Sequence, residues 1–320
     1  MKTNPVIKSI KFVIENSKQV KINKEDLRKF CYDFKISDSK FWLDAAPFRL
    51  ERMKDKEELN LLFIFASICF CFWEEPKWGV EYQDKFIDGA WGLYAALRKA
   101  IEDGLPILNF EYLREIPEQD LRKILKGNVE IPLFKERLDI LRENGKILIG
   151  KFDGDLESLI KESGRDALKL LKLITDNFPS FNDFALYRGY KVFFHKKAQL
   201  FIADIYRRFK GKKYGRIKDI DKLTALADYK IPMVLRKFGI LEYSQNLAAK
   251  VDNKILIPKG SEEEIEIRAN MIWTVELIKN ELKSKIPNIT ATDIDSYLWL
   301  KGKEKSPKDK PHHLTRTIFY

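Results

Sequence analysis

The segment Leu61–Trp73, LLFIFASICFCFW, runs for thirteen residues without a charge. No other stretch constrains the fold as strongly. A membrane-spanning helix needs roughly 18 or more apolar residues, so this run predicts a buried central helix and no membrane span. A chain of 320 residues has enough material to wrap such a helix on every side. One large domain over 1–320 is the expected organisation, since no internal repeat is visible. The opening segment MKTNPVIKSIKFVIENSK has no continuous apolar core and predicts neither a signal peptide nor an anchor.

Two of the three cysteines, Cys69 and Cys71, lie inside the apolar run, and the third is Cys31. An odd number placed this way predicts reduced core thiols and a cytoplasmic protein. The histidines are His195, His312 and His313, and Cys69-x-Cys71 lacks the ligand pairing of a zinc site, so no metal is expected. Fifty-nine Lys and Arg against 48 Asp and Glu leave a formal charge of +11. That balance permits an anionic partner. Lysines alternate with glutamates, as in KDKEE (54–58), which reads as solvated surface. With 45% apolar residues the chain is no disordered polyelectrolyte.

The remaining pattern predicts a mainly α protein, a single large helical domain with minor short β elements. NKEDLRKFCYDF (23–34) opens on Asn23, a good N-cap. DGAWGLYAALRKAIEDG (88–104) ends at a C-cap glycine. DLESLIKES (155–163) and GRDALKLLKLITDNF (164–178) have helical periodicity, and 261–284 opens with a capping box of Ser261 and Glu264. Strands are expected at KILIGKF (146–152) and KILIP (254–258). The charged stretch 301–311 predicts an exposed loop, and HHLTRTIFY (312–320) a segment tucked back into the fold.

Two residues sit oddly in these patterns. On a helical wheel of 191–209, Val192, Phe193, Leu200 and Ala203 form an apolar stripe with Lys196 inside it and Asp204 beside it. A buried ammonium needs a carboxylate, a cavity or a ligand, unless its head snorkels to water. KDIDKLTALA (218–227) reads as a short helix, followed by a second that contains Pro232 and stops at Gly239. Asp228 occupies the junction. It either caps the second helix or points into a cleft as an ionised carboxylate. In the latter case it would suit the loss of a base from a nucleoside, where positive charge develops on the sugar.

Several blocks then fall into one order: FCFWEEPKWGV (70–80), GAWGLYAALRKAIEDGLPI (89–107), FNDFALYRGYKVFFHKKAQ (181–199), IKDIDKLTALADYKIP (217–232), LRKFGILEYS (235–244), EIEIRANMIWTVELI (264–278), DSYLW (295–299) and HLTRTIFY (313–320). In these the chain resembles the queuosine salvage proteins, the queuosine 5′-phosphate N-glycosylase/hydrolase family, from about residue 60 onward. The resemblance implies a helical fold related to helix-hairpin-helix DNA glycosylases. It implies hydrolysis of queuosine 5′-monophosphate to free queuine for tRNA modification, without a cofactor and without a stable nucleic-acid partner. It places Lys196 and Asp228 on the family's catalytic lysine and aspartate. By family position Tyr229, Trp273, Tyr297, Trp299 and Tyr320 are candidates to stack on the base. Asp204, Glu266 and Asp295 are candidates for its cationic side chain, and Lys230, Arg268, His313 and Arg316 for the phosphate. Leu226 departs from the family, many of whose members carry an aromatic there. The loop RRFKGKKYGRIK (207–218) is also unusually basic. The competing reading is a nucleic-acid-directed base glycosylase or RNA binder. It draws on the charge of +11 but finds no RNP-type or GxxG-type motif.

Overall fold

The computed structural model describes residues 3–35, 41–304 and 309–320. Among the described residues the chain forms fourteen helices and six short strands. Their order begins α1 (Pro5–Asn16), β1 (Val20–Ile22), α2 (Lys24–Asp33), α3 (Asp55–Ile68), β2 (Gly79–Tyr82), β3 (Lys85–Asp88) and α4 (Gly89–Glu102). Next come α5 (Phe110–Leu113), α6 (Glu118–Ile124), α7 (Phe134–Phe152), α8 (Leu156–Glu162), α9 (Ala167–Asn177), β4 (Phe184–Tyr187), β5 (Tyr190–Phe193) and α10 (Lys196–Arg208). The order closes with α11 (Lys230–Lys237), β6 (Leu241–Tyr243), α12 (Gln245–Asp252), α13 (Glu262–Leu282) and α14 (Ala291–Lys301). The strands make three antiparallel pairs, β1 with β6, β2 with β3, and β4 with β5. No described helix is long and apolar enough to cross a membrane.

The apolar run is a helix only in part. Every residue of α3 from Glu58 to Ile68 is buried, as an all-round apolar helix requires. The helix stops at Ile68, and Cys69–Phe72 continue as buried irregular chain, with Cys71 at φ +50°. The cause is Arg137 of α7, wholly buried, whose guanidinium donates to the carbonyls of Ile68, Phe70 and Pro132. A cation at a helix C-terminus satisfies its orphan carbonyls and complements its dipole. The backbone N–H of Cys71 then donates to the Tyr320 carbonyl at 2.9 Å, and Tyr320 is 2% exposed.

Two apolar clusters form the core. One gathers residues of α3, α4, α7, α9 and α10, with Phe63 ringed by Phe110, Phe178, Phe181 and Phe201. The other gathers α1, α2, α11, α13 and α14. Burying each large side chain in such clusters contributes about 1.5–3 kcal/mol.

Several expectations need correction. Residues 146–152 are the last two turns of α7, not a strand. Leu256 makes only an isolated bridge to Leu314, so 254–258 is no strand either. Helix α10 begins at Lys196, and Val192 and Phe193 belong to β5. Ser261 caps α13 by accepting from the Glu264 N–H at 3.2 Å, but the Glu264 carboxylate accepts from Gly260 instead of closing the box. The stretch 218–227 holds one 3-10 turn, Ile220–Lys222, and is otherwise irregular. Of 301–311, Lys301 ends α14 and Lys303 folds inward, while Glu304, Asp309 and Lys310 are exposed. Residues 305–308 lie outside the described residues.

Candidate active site

Helix α10 starts abruptly. His195, at φ +48°, is its N-cap residue, and the carbonyl of Asp183 holds the backbone N–H groups of Phe194 and His195. The turn delivers Lys196 into the interior, 6% exposed. Its ammonium donates to the Cys69 carbonyl at 3.3 Å and lies 3.9 Å from the Cys69 sulfur. The irregular chain after α3 therefore serves as its rest. Lys196 forms no ion pair among the described residues, and it borders a cavity.

Asp228 combines both roles open to it. Its Oδ1 accepts from the backbone N–H of Lys230 at 2.9 Å and of Ile231 at 3.0 Å, capping α11. Its Oδ2 makes no hydrogen bond among the described residues. Burial raises the Asp228 carboxyl above the ordinary carboxylate range, opposed by the Lys196 charge and by the two capping N–H groups.

Two cavity lobes meet at Lys196 and Asp228, sharing Cys69, Ala90 and Trp299 as well. The first lobe is aromatic and acidic. Trp42 stacks on Phe65 at 5.0 Å and 22°, and Trp299 lies edge-on to Trp42 at 6.0 Å. Asp204 and Asp295 line it, and among the described residues the only added cation, Arg207, is paired with Asp293. Asp204 Oδ1 accepts from Trp42 Nε1 at 2.9 Å, while Oδ2 is buried without a partner among the described residues. Asp295 Oδ1 accepts from the Leu226 N–H at 2.7 Å. Burial raises the Asp204 carboxyl to about 7, against Trp42, Lys196 and Arg207. Burial, then the Asp228 charge, raises Asp295 well above the usual range.

The second lobe is cationic. Lys77, Lys230, Lys303 and His312 line it, with Asp88 as its added carboxylate. Burial and the Lys303 charge lower Lys230 to about 8. His312 packs on Tyr229, ring centroids 4.6 Å apart, and burial holds its imidazole down at about 4. Tyr320 closes this lobe.

The structure thus brings together Lys196, Asp204, Asp228, Tyr229, Lys230, Asp295, Trp299 and Tyr320. Four of the nominated residues, and two alternatives for the phosphate, line neither lobe. Glu266 caps a turn, accepting from the backbone of Lys18, Gln19 and Val20 and from the Tyr187 hydroxyl. Arg268 is locked between Asp183 and Glu264. Trp273 packs against the second apolar cluster, and Tyr297 faces Phe30 and Phe34 beside α2. His313 is buried 3.4 Å from the Tyr320 hydroxyl, and Arg316 pairs with Glu74. Of the basic loop 207–218, only Arg207 lines the first lobe. Sequence reasoning missed Trp42, Phe65, Cys69, Lys77, Lys303 and His312. A legible trace was the tryptophan of FWLDAAPF (41–48), within a segment otherwise without pattern. Among the described residues, no group of three or more His, Cys, Asp or Glu is placed to hold a metal ion.

The Asp204 carboxyl makes stability depend on pH. Its folded value lies above the unfolded one of about 3.9, so the folded state binds the extra proton in between. Its stabilising contribution is complete below about pH 4 and is lost as pH rises through about 7. Asp204→Asn keeps an acceptor for Trp42 and removes this loss. The variant should melt higher than the parent at about pH 8 and close to it at about pH 4. Thermal melts at both values check this, and an unchanged pH slope would contradict it.

Fold and cavity define a class: a mainly helical protein with an internal pocket lined by carboxyl groups at one end and ammonium groups at the other. Residues 50–320 match the queuosine salvage protein family, and the chain belongs to that family. A Sphaerobacter thermophilus protein named queuosine 5′-phosphate N-glycosylase/hydrolase is 42% identical over 261 residues, covering 82% of this chain and 81% of the relative. A Mus musculus protein of the same name is 35% identical, with 98% and 97% covered. One from Schizosaccharomyces pombe is 30% identical, with 95% and 92% covered.

Proposed function

We propose that this chain hydrolyses the N-glycosidic bond of queuosine 5′-monophosphate, releasing queuine for salvage into tRNA modification. The observation that carries this reading is the place of Asp228 and Lys196, at the waist between an acidic aromatic lobe and a cationic one. A nucleotide laid across the waist puts its base in the aromatic lobe, against the side of the ring cluster that Trp42 and Trp299 present to the cavity. Its 5′-phosphate reaches Lys77, Lys230 and Lys303. The sugar carbon then sits beside Asp228.

Queuine is a 7-deazaguanine, with carbon where a purine has N7, so protonation at that position cannot loosen the bond. The work falls on the sugar cation and on the other edges of the base. Asp228 Oδ2 stabilises the positive charge that builds on C1′ and O4′. Lys196 and the two capping N–H groups favour the ionised form of that carboxyl against burial and hold it in position. Asp295 keeps its proton and donates a hydrogen bond to the departing base, as a buried carboxylic acid does. The secondary amine of queuine, cationic at neutral pH, meets the free Oδ2 of Asp204.

The same reading takes 1–320 as one functional domain, because α10 and α14, from different core clusters, face each other across the cavity. It extends to kinship with helix-hairpin-helix DNA glycosylases, supported by the resemblance of the sequence blocks. It includes a cytoplasmic location, supported by three free, buried thiols. It includes no stable nucleic-acid partner, supported by the enclosure of the charged groups. A steep salt-dependent affinity for long RNA or DNA would argue against that last element.

Incubation with queuosine 5′-monophosphate, followed by chromatography for free queuine, tests the reaction directly. No release would sink it. Replacing Lys230 and Lys303 together by Gln should raise KM for the nucleotide by about 10–100-fold, with a smaller effect on kcat. The unphosphorylated nucleoside should be processed alike by both proteins, and steady-state kinetics on the two substrates make the comparison.

A further inference from the structure

His195 lines neither lobe of the reaction cavity; it lines a separate, open cavity between α1, α9 and β5. The imidazole is 4% exposed, and neither ring nitrogen has a hydrogen-bond partner among the described residues. Burying a polar ring without partners costs free energy on the order of 1–3 kcal/mol, so the position calls for a ligand. The rim of this cavity carries exposed ammonium groups of Lys169, Lys172 and Lys191 against one carboxylate, Asp176, which pairs with Lys172. Lys169 forms no ion pair among the described residues, and Lys191 rests on the Phe184 ring at 3.8 Å. The Asn182 amide lies on the same wall. His195 also heads α10, a helix of thirteen residues, whose N-terminal end adds positive potential.

We propose that this cavity is a second ligand site, separate from the reaction cavity, that takes a phosphate dianion, either free or as a small ester. His195 forms the floor and donates a ring N–H to the anion. Lys169 and Lys191 supply charge-assisted hydrogen bonds from the rim. Burial keeps the imidazole neutral in the empty site, at about 4, with Asp183 and Asp176 pulling upward and Lys191 downward. An anion at the floor adds to the upward pull, so occupancy favours the doubly protonated ring.

The chain contains three histidines, which makes the test direct. Nitrogen-15 labelling of histidine gives one signal set for this site, from His195, and one for the cationic lobe, from His312. Titration with inorganic phosphate should shift both. Replacing Lys169 and Lys191 by Gln should weaken the His195 response about tenfold. The His312 titration and turnover at low phosphate should stay as they were. If His312 moves and His195 does not, the second site is refuted and the reaction cavity stands. If His195 moves and His312 does not, the phosphate lobe is refuted instead. A His195 response indifferent to the lysine replacements also overturns the proposal. A parallel titration with ribose 5-phosphate names the source: tighter binding than phosphate assigns an ester, equal or weaker binding the free ion.

Discussion

Asp228→Asn should lower the rate of queuine release by about three orders of magnitude or more, with the melting temperature nearly unchanged. The two halves of this expectation come from the two oxygens. Asn retains Oδ1 and so keeps the capping bonds to Lys230 and Ile231 that start α11. The atom lost is Oδ2, the negative oxygen facing the waist. Removing a preorganised charge from a site of charge development costs about 10²–10³ for a single hydrogen-bond donor, and a full charge in an enclosed cavity costs more. Single-turnover measurement of released base gives the rate, and circular dichroism the fold. In the parent protein the acid limb of the rate profile should lie above the ordinary carboxylate range near about 4, because burial raises Asp228. A variant that still turns over at a tenth of the parental rate would remove Asp228 from the mechanism.

The largest stability effect should come from Arg268→Ala. Arg268 is 2% exposed, and its Nη1 lies 3.2 Å from Asp183 Oδ1 and 3.1 Å from Glu264 Oε1. Its guanidinium stacks over Phe194 at 3.8 Å and Tyr320 at 4.3 Å. Deleting it leaves two carboxylates facing each other without a cation. Breaking a buried ion pair in this way costs about 3–5 kcal/mol, which for a chain of this size lowers the melting temperature by roughly 10 °C. Neutralising the partners as well, with Asp183→Asn and Glu264→Gln, should recover much of the loss. A triple variant no more stable than Arg268→Ala would show that the lost ring packing, not the orphaned charge, sets the cost. Activity should fall with stability in the single variant, since the Asp183 carbonyl holds the turn that aims Lys196.

Helices with clear caps and one apolar face were legible in the sequence. Asn23 accepts from the Glu25 and Asp26 N–H groups, and α4 ends just before Gly104, at φ +78°. What failed was local pattern near the cavity. Residues 218–227 look helical, yet Gln199 accepts from the Thr224 N–H at 3.0 Å and Asp295 from the Leu226 N–H at 2.7 Å. Distant side chains take the backbone bonds that a helix would keep for itself. Residues 146–152 look like a strand, but α7 continues through Gly145. A Cβ there would meet the Arg114 nitrogen at 2.5 Å, so this glycine serves close packing against α5 and not a break.

Lys196 and Asp228 stood out because each sat badly in its own segment. Lys303 and His312 could not, because a lysine in a charged stretch and a histidine before an apolar tail are ordinary. Glu266 and Arg268 were candidates because the resemblance calls for a carboxylate to meet the amine of the base and a cation to meet the phosphate; here they hold distant pieces of chain together.

The cavity with carboxyl groups at one end and ammonium groups at the other amounts to an electric dipole whose acidic end gains its charge as Asp204 loses its proton. Such a pocket favours zwitterions over simple anions or cations, and it favours one of the two head-to-tail orientations. Compounds that join a protonated amine to a phosphonate through a rigid aromatic spacer would align with it. Symmetric dianions would gain at one end what they lose at the other.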